Sequence, residues 1–230
     1  MIPIKGLIKL SLIDFAPHPA CVVFVGGCNF RCPNCQNADL VLRPGKMPDI
    51  PISDVLKHLD SRKGWLDGLV VTGGEPLLYD LAPLLSEVKK RGLLVKVDTN
   101  GTTPDILKEL IVAKLVDYVA MDIKAPLDKY DAAAKAKVDK KNISASVMLL
   151  MEGEVDYEFR TTVVPDFYSE ADAHEIGKWL KGCKRYALQQ FRTEMGTIDP
   201  NLRTVYPKEK LFEFQKILHG YIPEVLVRNV

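Results

Sequence analysis

The sequence has no long apolar run, and no stretch approaches the roughly 20 consecutive apolar residues that a helix needs to cross a bilayer. Charge of one sign is not in excess either, since 31 Lys and Arg face 30 Asp and Glu. Neither a membrane nor a nucleic acid is therefore indicated as a partner. The first residues, 1–15, lack the basic start, apolar core and small-residue cleavage site of a secretory signal. We therefore expect a cytoplasmic protein.

Linkers and internal repeats are also missing, because no segment is rich in Pro, Gly and Ser and no motif recurs at a fixed period. The chain has 230 residues, of which 47% are hydrophobic and 27% charged, a composition typical of folded proteins. This length is ordinary for one α/β domain with a large core. The sequence predicts a single domain over residues 1–230.

Short apolar runs rich in β-branched residues alternate with segments of helical character. The predicted strands cover residues 21–25, 69–72, 94–98, 118–122, 157–163 and 185–189. The predicted helices cover residues 53–61, 81–91, 104–113, 169–180 and 207–219, and a helical segment at 132–151 has a break near 140–142. This alternation indicates parallel strands covered by helices.

Several residues mark the predicted helix ends. Ser53 and Ser169 are candidate N-caps, Pro104 and Pro207 are typical of a first helical turn, and Gly92 is a stop signal. The pattern gives six strand–helix units, whereas a complete eight-unit barrel usually needs about 250 residues. We predict an α/β fold, a partial (β/α)6 TIM-like barrel with parallel strands and outer helices, and residues 224–227 as a candidate edge strand. A doubly wound sheet is the alternative.

Cysteine is scarce, with five residues in all, yet three of them lie within eight residues. Cys28, Cys32 and Cys35 form a CxxxCxxC loop directly after the first predicted strand, a poor layout for a disulfide scaffold. Three thiolates so close together can bind three irons of one iron–sulfur cluster and leave the fourth iron open. We expect Cys21 and Cys183 to be small buried side chains instead.

A closed zinc site is the main alternative for the cysteine loop. Such a site needs four Cys or His ligands. The histidines do not stand at ligand spacing from the three cysteines; they are His18, His58, His174 and His219.

Polar motifs follow the next three predicted strands, at the end where α/β folds build their sites. They are GGEP at residues 73–76, DTNG at 98–101 and DIK at 122–124. Each motif alone is typical of a turn or a helix cap. Together they would bring carboxylates and an ammonium group to one rim, which Arg160 and Gln190 would also reach.

The CxxxCxxC loop after the first strand, followed by GGEP after the second, resembles the radical S-adenosylmethionine (SAM) superfamily. The resemblance implies an iron–sulfur enzyme in which the three cysteines hold a 4Fe-4S cluster. The open iron then binds the amino and carboxylate groups of SAM, and one-electron reduction releases a 5′-deoxyadenosyl radical that abstracts hydrogen.

The resemblance also implies cofactor-binding roles for the other motifs. The GGEP loop would bind the amino group of SAM, and Asn34, where the family usually has an aromatic residue, would approach the adenine through its backbone. The DTNG and DIK elements would contact the ribose and the carboxylate, and in related enzymes they also hold a monovalent cation. The implied positions are Asn34, Gly73, Gly74, Glu75, Pro76, Asp98, Thr99, Asn100, Asp122 and Lys124, with Arg160 and Gln190 as further cofactor or substrate contacts.

Nearly the whole chain, including DYVAMDIKAP, EFRTTVVP and YALQQFR, is similar to the small activating proteins of anaerobic ribonucleotide reductase and of pyruvate formate-lyase. Their implied reaction removes a hydrogen from a glycine Cα of a partner enzyme and leaves a glycyl radical. Flavodoxin or ferredoxin is the implied electron donor. Gln36 departs from this group, which often has His at that position.

Two other functions remain open. One is a radical SAM enzyme that acts on a small molecule, similar to the deazaguanine synthases, with Arg31, Arg160 and Arg192 as candidate substrate contacts. The other is a metal-binding or electron-transfer module without catalysis.

Overall fold

The apolar β-branched runs form the strands of one eight-stranded sheet, which the computed structural model describes over residues 2–194 and 196–230. The strands are adjacent in chain order: β1 (Ile4–Ser11), β2 (Ala20–Val25), β3 (Gly68–Gly73), β4 (Leu94–Thr99), β5 (Tyr118–Asp122), β6 (Asp156–Val163), β7 (Arg185–Gln190) and β8 (Glu224–Arg228). The β1–β2 pair is antiparallel and each later pair is parallel. Among the described residues no ladder joins β8 to β1, so the barrel is open.

Helices connect the parallel strands. They are α1 (Ala38–Leu42), α2 (Ile52–Ser61), α3 (Ala82–Lys90), α4 (Pro104–Val112), α5 (Tyr130–Ala134), α6 (Lys140–Met151), α7 (Glu170–Trp179) and α8 (Lys208–His219). Their buried residues share the main core with one face of the strands, for example Val23 and Val71, so this face is the outer one. No helix in the described ranges is long and apolar enough to cross a membrane.

The inner face of the barrel carries the alternate residues, which form a small apolar cluster on β2 and β3 and are mostly polar or charged on β4 and β6. On β4 the buried Val95 and Val97 belong to the main core, whereas Lys96 and Asp98 between and after them belong to the inner side. The same alternation on β6 puts Phe159 in the main core and Arg160 inside. Successive residues of a strand point to opposite faces of the sheet, so one face packs against the helices and the other faces the interior of the barrel.

The predicted α/β partial barrel is confirmed. All six predicted strands are present with bounds shifted by at most one residue, and the candidate edge strand is β8, parallel to β7. Strand β1 was not predicted, because its buried and exposed residues do not alternate regularly: three consecutive residues near its end are exposed.

Some helix boundaries differ from prediction. Ser169 caps α7 through a reciprocal capping box with Asp172, as expected. Ser53, in contrast, lies inside α2, because Pro51 already supplies the extended residue before the helix. Pro207 is likewise the residue before α8 and not part of its first turn. The break in the 132–151 segment is at 135–139, earlier than predicted, because the side chain of Asp139 caps α6.

Candidate active site

The cysteine loop leaves β2 through two glycines and is held in shape by its own neighbours. The guanidinium of Arg31 donates to the carbonyl oxygens of Cys28 at 2.6 Å and of Phe30 at 2.7 Å. The buried ring of Phe30 packs edge-on against Tyr130, with centroids 6.4 Å apart. The loop is therefore folded around a buried aromatic anchor.

Burial disfavours the thiolate form of Cys28 and Cys32. It raises the pKa of Cys28 to about 11, and it also raises the pKa of Cys32 although the ammonium of Lys124 acts in the opposite direction. Only a thiolate binds iron, so binding of a positively charged metal group must stabilise the deprotonated form.

The GGEP loop lies directly against the cysteine loop. The backbone N–H of Glu75 donates to the carbonyl oxygen of Gly27 at 2.9 Å. A Cβ on Gly74 would stand 1.8 Å from that same oxygen, and Gly73 has a φ of +112°. No other residue type fits these two positions without strain or a clash. The side-chain amide of Asn37 also donates to the carbonyl oxygen of Gly73 at 3.0 Å.

Glu75 is buried and ties this loop to the end of β4. Its carboxylate accepts hydrogen bonds from the Thr99 hydroxyl at 2.8 Å, the Asn100 backbone N–H at 2.6 Å and the Leu77 backbone N–H at 3.0 Å. Burial raises the pKa of Glu75 to about 7, and the three hydrogen bonds limit that rise. The side chain thus caps the 3-10 helix that begins at Pro76, as the turn interpretation predicted, while it also borders the cavity.

The DTNG loop joins the cysteine loop from the other side. The Asn100 side-chain amide donates to Asn29 Oδ1 at 2.8 Å, and Asn29 in turn donates to the Thr102 hydroxyl at 2.9 Å. Asn29 and Thr102 were not singled out from the sequence, because a polar residue on a loop carries no signal of its partner. The network fixes Cys28 relative to the end of β4.

A cluster of four charged side chains occupies the inner face. Arg160 bridges two carboxylates, with its Nε 2.5 Å from Asp122 Oδ1 and an Nη 3.1 Å from Asp98 Oδ2. Lys124 Nζ lies 2.8 Å from the other oxygen of Asp122. Burial acts to raise the pKa of both carboxyls, but the neighbouring cations together outweigh it, Arg160 with Lys96 at Asp98 and Arg160 with Lys124 at Asp122, and the two pKa values are lowered. Both carboxylates are therefore ionised at neutral pH.

One oxygen of this cluster has no hydrogen-bond partner. Asp98 Oδ1 is buried and makes no hydrogen bond to a described residue, although the Lys96 ammonium lies 3.4 Å away. A buried unpartnered carboxylate oxygen is costly, so it marks a position where a polar ligand group can be accommodated.

These elements surround one cavity of about 340 Å³, within the usual size range for small-molecule sites. It is bordered by most of the predicted residues, namely Cys28, Cys32, Cys35, Asn34, Gly73, Gly74, Glu75, Asp98, Thr99, Asn100, Asp122, Lys124 and Arg160. Pro76 is buried behind the loop and is not part of the lining.

Gln190 does not border the cavity. Its amide donates to the carbonyl oxygen of Tyr206 at 3.2 Å, on the outer side of β7, and Gln189 points inward in its place. Strict alternation from the buried Tyr186 and Leu188 would have selected Gln189. Thr162 on β6 borders the cavity for the same reason.

The donor set fits an iron–sulfur cluster better than a zinc ion. Within the described ranges, no three His, Cys, Asp or Glu side chains are grouped so that they could hold one metal ion. A cubane instead takes each cysteine on a different iron. Cys21 and Cys183 are fully buried, and His58 and His174 are hydrogen-bonded to Lys9 and Tyr221. Three thiols face the cavity with no fourth cysteine, and a bound cluster would supply one-electron reduction of a ligand there.

Comparison with known proteins agrees with this fit. The family model described as the radical SAM superfamily matches residues 22–180. A Methanocaldococcus jannaschii protein named "Putative glycyl-radical enzyme activating enzyme MJ1227" is 34% identical over 234 residues, covering 99% of this chain and 96% of its own length. The 7-carboxy-7-deazaguanine synthase of Rhodospirillum rubrum is 39% identical over 89 residues, only 38% of this chain and 36% of the synthase.

A solved structure shares the fold. A domain of the pyruvate-formate lyase-activating enzyme from Bacteroides vulgatus superposes with a TM-score of 0.56 at 17% identity, covering 70% of this chain and 99% of that domain. The family match spans more than half of the chain and includes all three loop cysteines and the GGEP, DTNG and DIK motifs. The chain belongs to the radical SAM superfamily and is a radical SAM enzyme.

Proposed function

We propose that this enzyme activates a glycyl radical enzyme, such as an anaerobic ribonucleotide reductase, by abstracting hydrogen from a glycine Cα. The observation that carries the proposal is the similarity to the M. jannaschii protein along essentially the full length of both chains. The similarity to the R. rubrum deazaguanine synthase, in contrast, covers about a third of each chain, and the synthase of Methanospirillum hungatei is 26% identical over 159 residues.

The site residues have complementary roles in this proposal. Cys28, Cys32 and Cys35 hold the 4Fe-4S cluster, and the cavity beside them holds SAM. The GGEP loop offers backbone carbonyl oxygens to the amino group of SAM, because its glycines allow close approach. Lys124 and Arg160 are available to the carboxylate of SAM, and Asp98 and Asp122 to its ribose hydroxyls.

A monovalent cation is not part of the proposal. Asp98 already faces two cationic side chains, Lys96 at 3.4 Å and Arg160 at 3.1 Å. A further cation at this carboxylate would meet repulsion from both. The electron that reduces the cluster comes from a carrier protein such as flavodoxin or ferredoxin, which is oxidised by one electron in each transfer.

The proposal is tested with protein reconstituted anaerobically and reduced in the presence of SAM and a candidate glycyl radical enzyme. We expect a glycyl radical in the partner by electron paramagnetic resonance, together with 5′-deoxyadenosine. A partner deuterated at the glycine Cα should transfer deuterium to the 5′-deoxyadenosine. The Cys32→Ala variant is the control and should give neither product.

A small-molecule substrate is the second candidate, favoured by the inward polar residues Thr162 and Gln189 in the same cavity. It predicts 5′-deoxyadenosine without any partner radical, and release of that product would depend on the added small molecule. Absence of deuterium transfer from the labelled partner would therefore favour this candidate.

A further inference from the structure

A group of exposed basic side chains lies beside the cysteine loop. We call it the basic surface and define it by Arg31, Lys135, Lys137 and Lys141, all of which are exposed. None of the four forms an ion pair with any residue that the structure describes. Because the whole chain has a net charge of only +1, four unpaired cations in one place are a local excess.

Nearby lysines behave differently. Lys140 lies 3.4 Å from Asp131, and Lys129 lies 2.6 Å from the largely buried Asp172. The carboxylate of Asp139 accepts the backbone N–H of Lys141 at 2.9 Å and so serves as the cap of α6. Asp131 and Asp139 thus interact with other groups of the same segment. The four side chains of the basic surface therefore have no carboxylate partner among the described residues.

Two anchors place the basic surface against the cysteine loop. The backbone N–H of Arg31, inside the CxxxCxxC motif, donates to the carbonyl oxygen of Ala134 at 2.8 Å, and Lys135 follows immediately. At the other end, Asn142 donates to the carbonyl oxygen of Thr102 at 3.1 Å, and Thr102 is bonded to Asn29. The segment 134–142 therefore runs along the outside of the loop between Cys28 and Cys32.

The other sides of the cysteine loop are covered. The GGEP loop occupies one side through the bond from Glu75 to Gly27. Beyond the third cysteine, Ile198 donates to the carbonyl oxygen of Cys35 at 3.2 Å, and Asp199 donates to that of Pro33 at 2.9 Å. The basic surface is thus an exposed, charged approach to the cysteines that does not pass through the cavity.

We propose that the basic surface docks the acidic face of a small one-electron carrier protein. The proposal rests on the proposed function, because it assumes that the loop holds a cluster that must be reduced. In the transfer step the reduced carrier loses one electron and the cluster gains it, and this step breaks no bond. Opposite charges at the two surfaces increase the rate of encounter and orient the carrier toward the loop.

The test uses a charge-reversal pair and a matched control. The Lys135→Glu/Lys137→Glu variant spares Arg31, which braces the loop. The Lys63→Glu/Lys181→Glu control changes the net charge equally at exposed positions just before β3 and β7, at the opposite end of the barrel. Binding of an acidic flavodoxin to the reconstituted proteins is measured by calorimetry at low ionic strength, and cluster reduction is followed by absorbance.

We expect the test variant to bind the flavodoxin about tenfold more weakly and to be reduced more slowly by it, with a smaller salt dependence than the unmodified protein. The control should stay within about twofold of the unmodified protein. Reduction by dithionite, a small molecule that needs no docking, should be equal in all three.

Equal weakening in both variants, or no weakening in the test variant, would overturn the docking proposal. Tighter binding of a single-stranded RNA than of the flavodoxin, lost in the same variant, would also overturn it. These outcomes are separate from failure of the proposed function, in which dithionite and SAM give no glycyl radical in any partner even with the unmodified protein.

Discussion

The two faces of the sheet differ more than they do in an ordinary parallel barrel. The outer face packs apolar residues such as Val97, Phe159 and Leu188 against the helices. The inner face, which in complete barrels is filled by branched apolar side chains, keeps only a small apolar cluster on β2 and β3 and carries Asp98 and Arg160 on β4 and β6. In this open barrel the apolar packing that stabilises the fold therefore lies on the outer face, and the charged residues of the candidate site lie on the inner face.

The inner face is organised by ion pairs between strands that lie one or two positions apart in the sheet. Arg160 on β6 reaches carboxylates on β4 and β5, and the buried Glu158 on β6 is paired with Arg228 on β8 through two contacts of 2.7 and 2.8 Å. Pairs of this kind gain little net stability, because desolvation offsets their attraction. Their retention here fits a role in holding a charged ligand.

The sharpest test of the comparison replaces one cysteine on each side. Cys32→Ala removes a proposed cluster ligand that lines the cavity and should abolish assembly of the 4Fe-4S cluster. Cys183→Ala removes a fully buried residue of the outer core and should leave assembly nearly intact. Iron and sulfide content with the visible absorbance after anaerobic reconstitution gives the result. A reversed outcome would mean that the ligands are assigned wrongly.

Two neighbours on β6 separate stability from binding. Phe159→Ala leaves a cavity in the outer core and should lower the free energy of unfolding by about 3–5 kcal/mol, with SAM affinity unchanged in the folded protein. Arg160→Lys keeps the charge but cannot bridge Asp98 and Asp122 in the same way, so SAM should bind about tenfold more weakly. Urea denaturation and equilibrium dialysis measure the two quantities. If Phe159→Ala and Arg160→Lys changed the unfolding free energy and the SAM affinity by the same amounts, the two faces would not differ in role.

Glu75 gives the inner face a pH dependence. Its pKa is raised from 4.5 to about 7 in the folded protein, so the folded state holds a proton that the unfolded state has released between these values. Stability should therefore fall as the pH rises from 4.5 to 7, by about 3 kcal/mol in total. The lowered pKa values of Asp98 and Asp122 make stability depend on pH only below about pH 4, outside this range.

The measurement is the urea midpoint of the metal-free protein across this pH range. Glu75→Gln should flatten the profile, although it also loses one of the three hydrogen bonds to the carboxylate. Glu109→Gln, on the exposed side of α4, is the matched control and should keep the slope of the unmodified protein. A slope that survives in Glu75→Gln would assign the titration to another group.

The smallest expected effect concerns Lys96, which lies beneath the site. Its ammonium donates to the carbonyl oxygen of Asp14 and lies 3.4 Å from Asp98. Lys96→Met leaves Asp98 with one cation fewer and should weaken SAM binding by about 0.7 kcal/mol, or roughly threefold, without loss of the cluster. Unchanged SAM affinity would show that Lys96 only fastens the β1–β2 connection.

The sequence alone predicted the alternation of strands and helices, and most of the residues it named border one cavity. Each motif follows a strand, and parallel strands end at one rim, so Cys28, Glu75, Asp98 and Asp122 had to lie near each other. It did not predict β1 or select Gln189 over Gln190. An antiparallel edge strand has a weak burial pattern, and one residue of register decides which face a side chain occupies.

The cysteine spacing and the order of the motifs determined the family, because the number and type of ligands are local properties of the chain. The pairings were decided only by tertiary structure. Three features depend on contacts between residues that are distant in sequence. Arg160 bridges Asp98 and Asp122, the carboxylate of Glu75 is hydrogen-bonded within the loops, and segment 134–142 lies outside the cysteine loop. Such contacts follow from how the strands close around the cavity, and no local pattern in the chain encodes them.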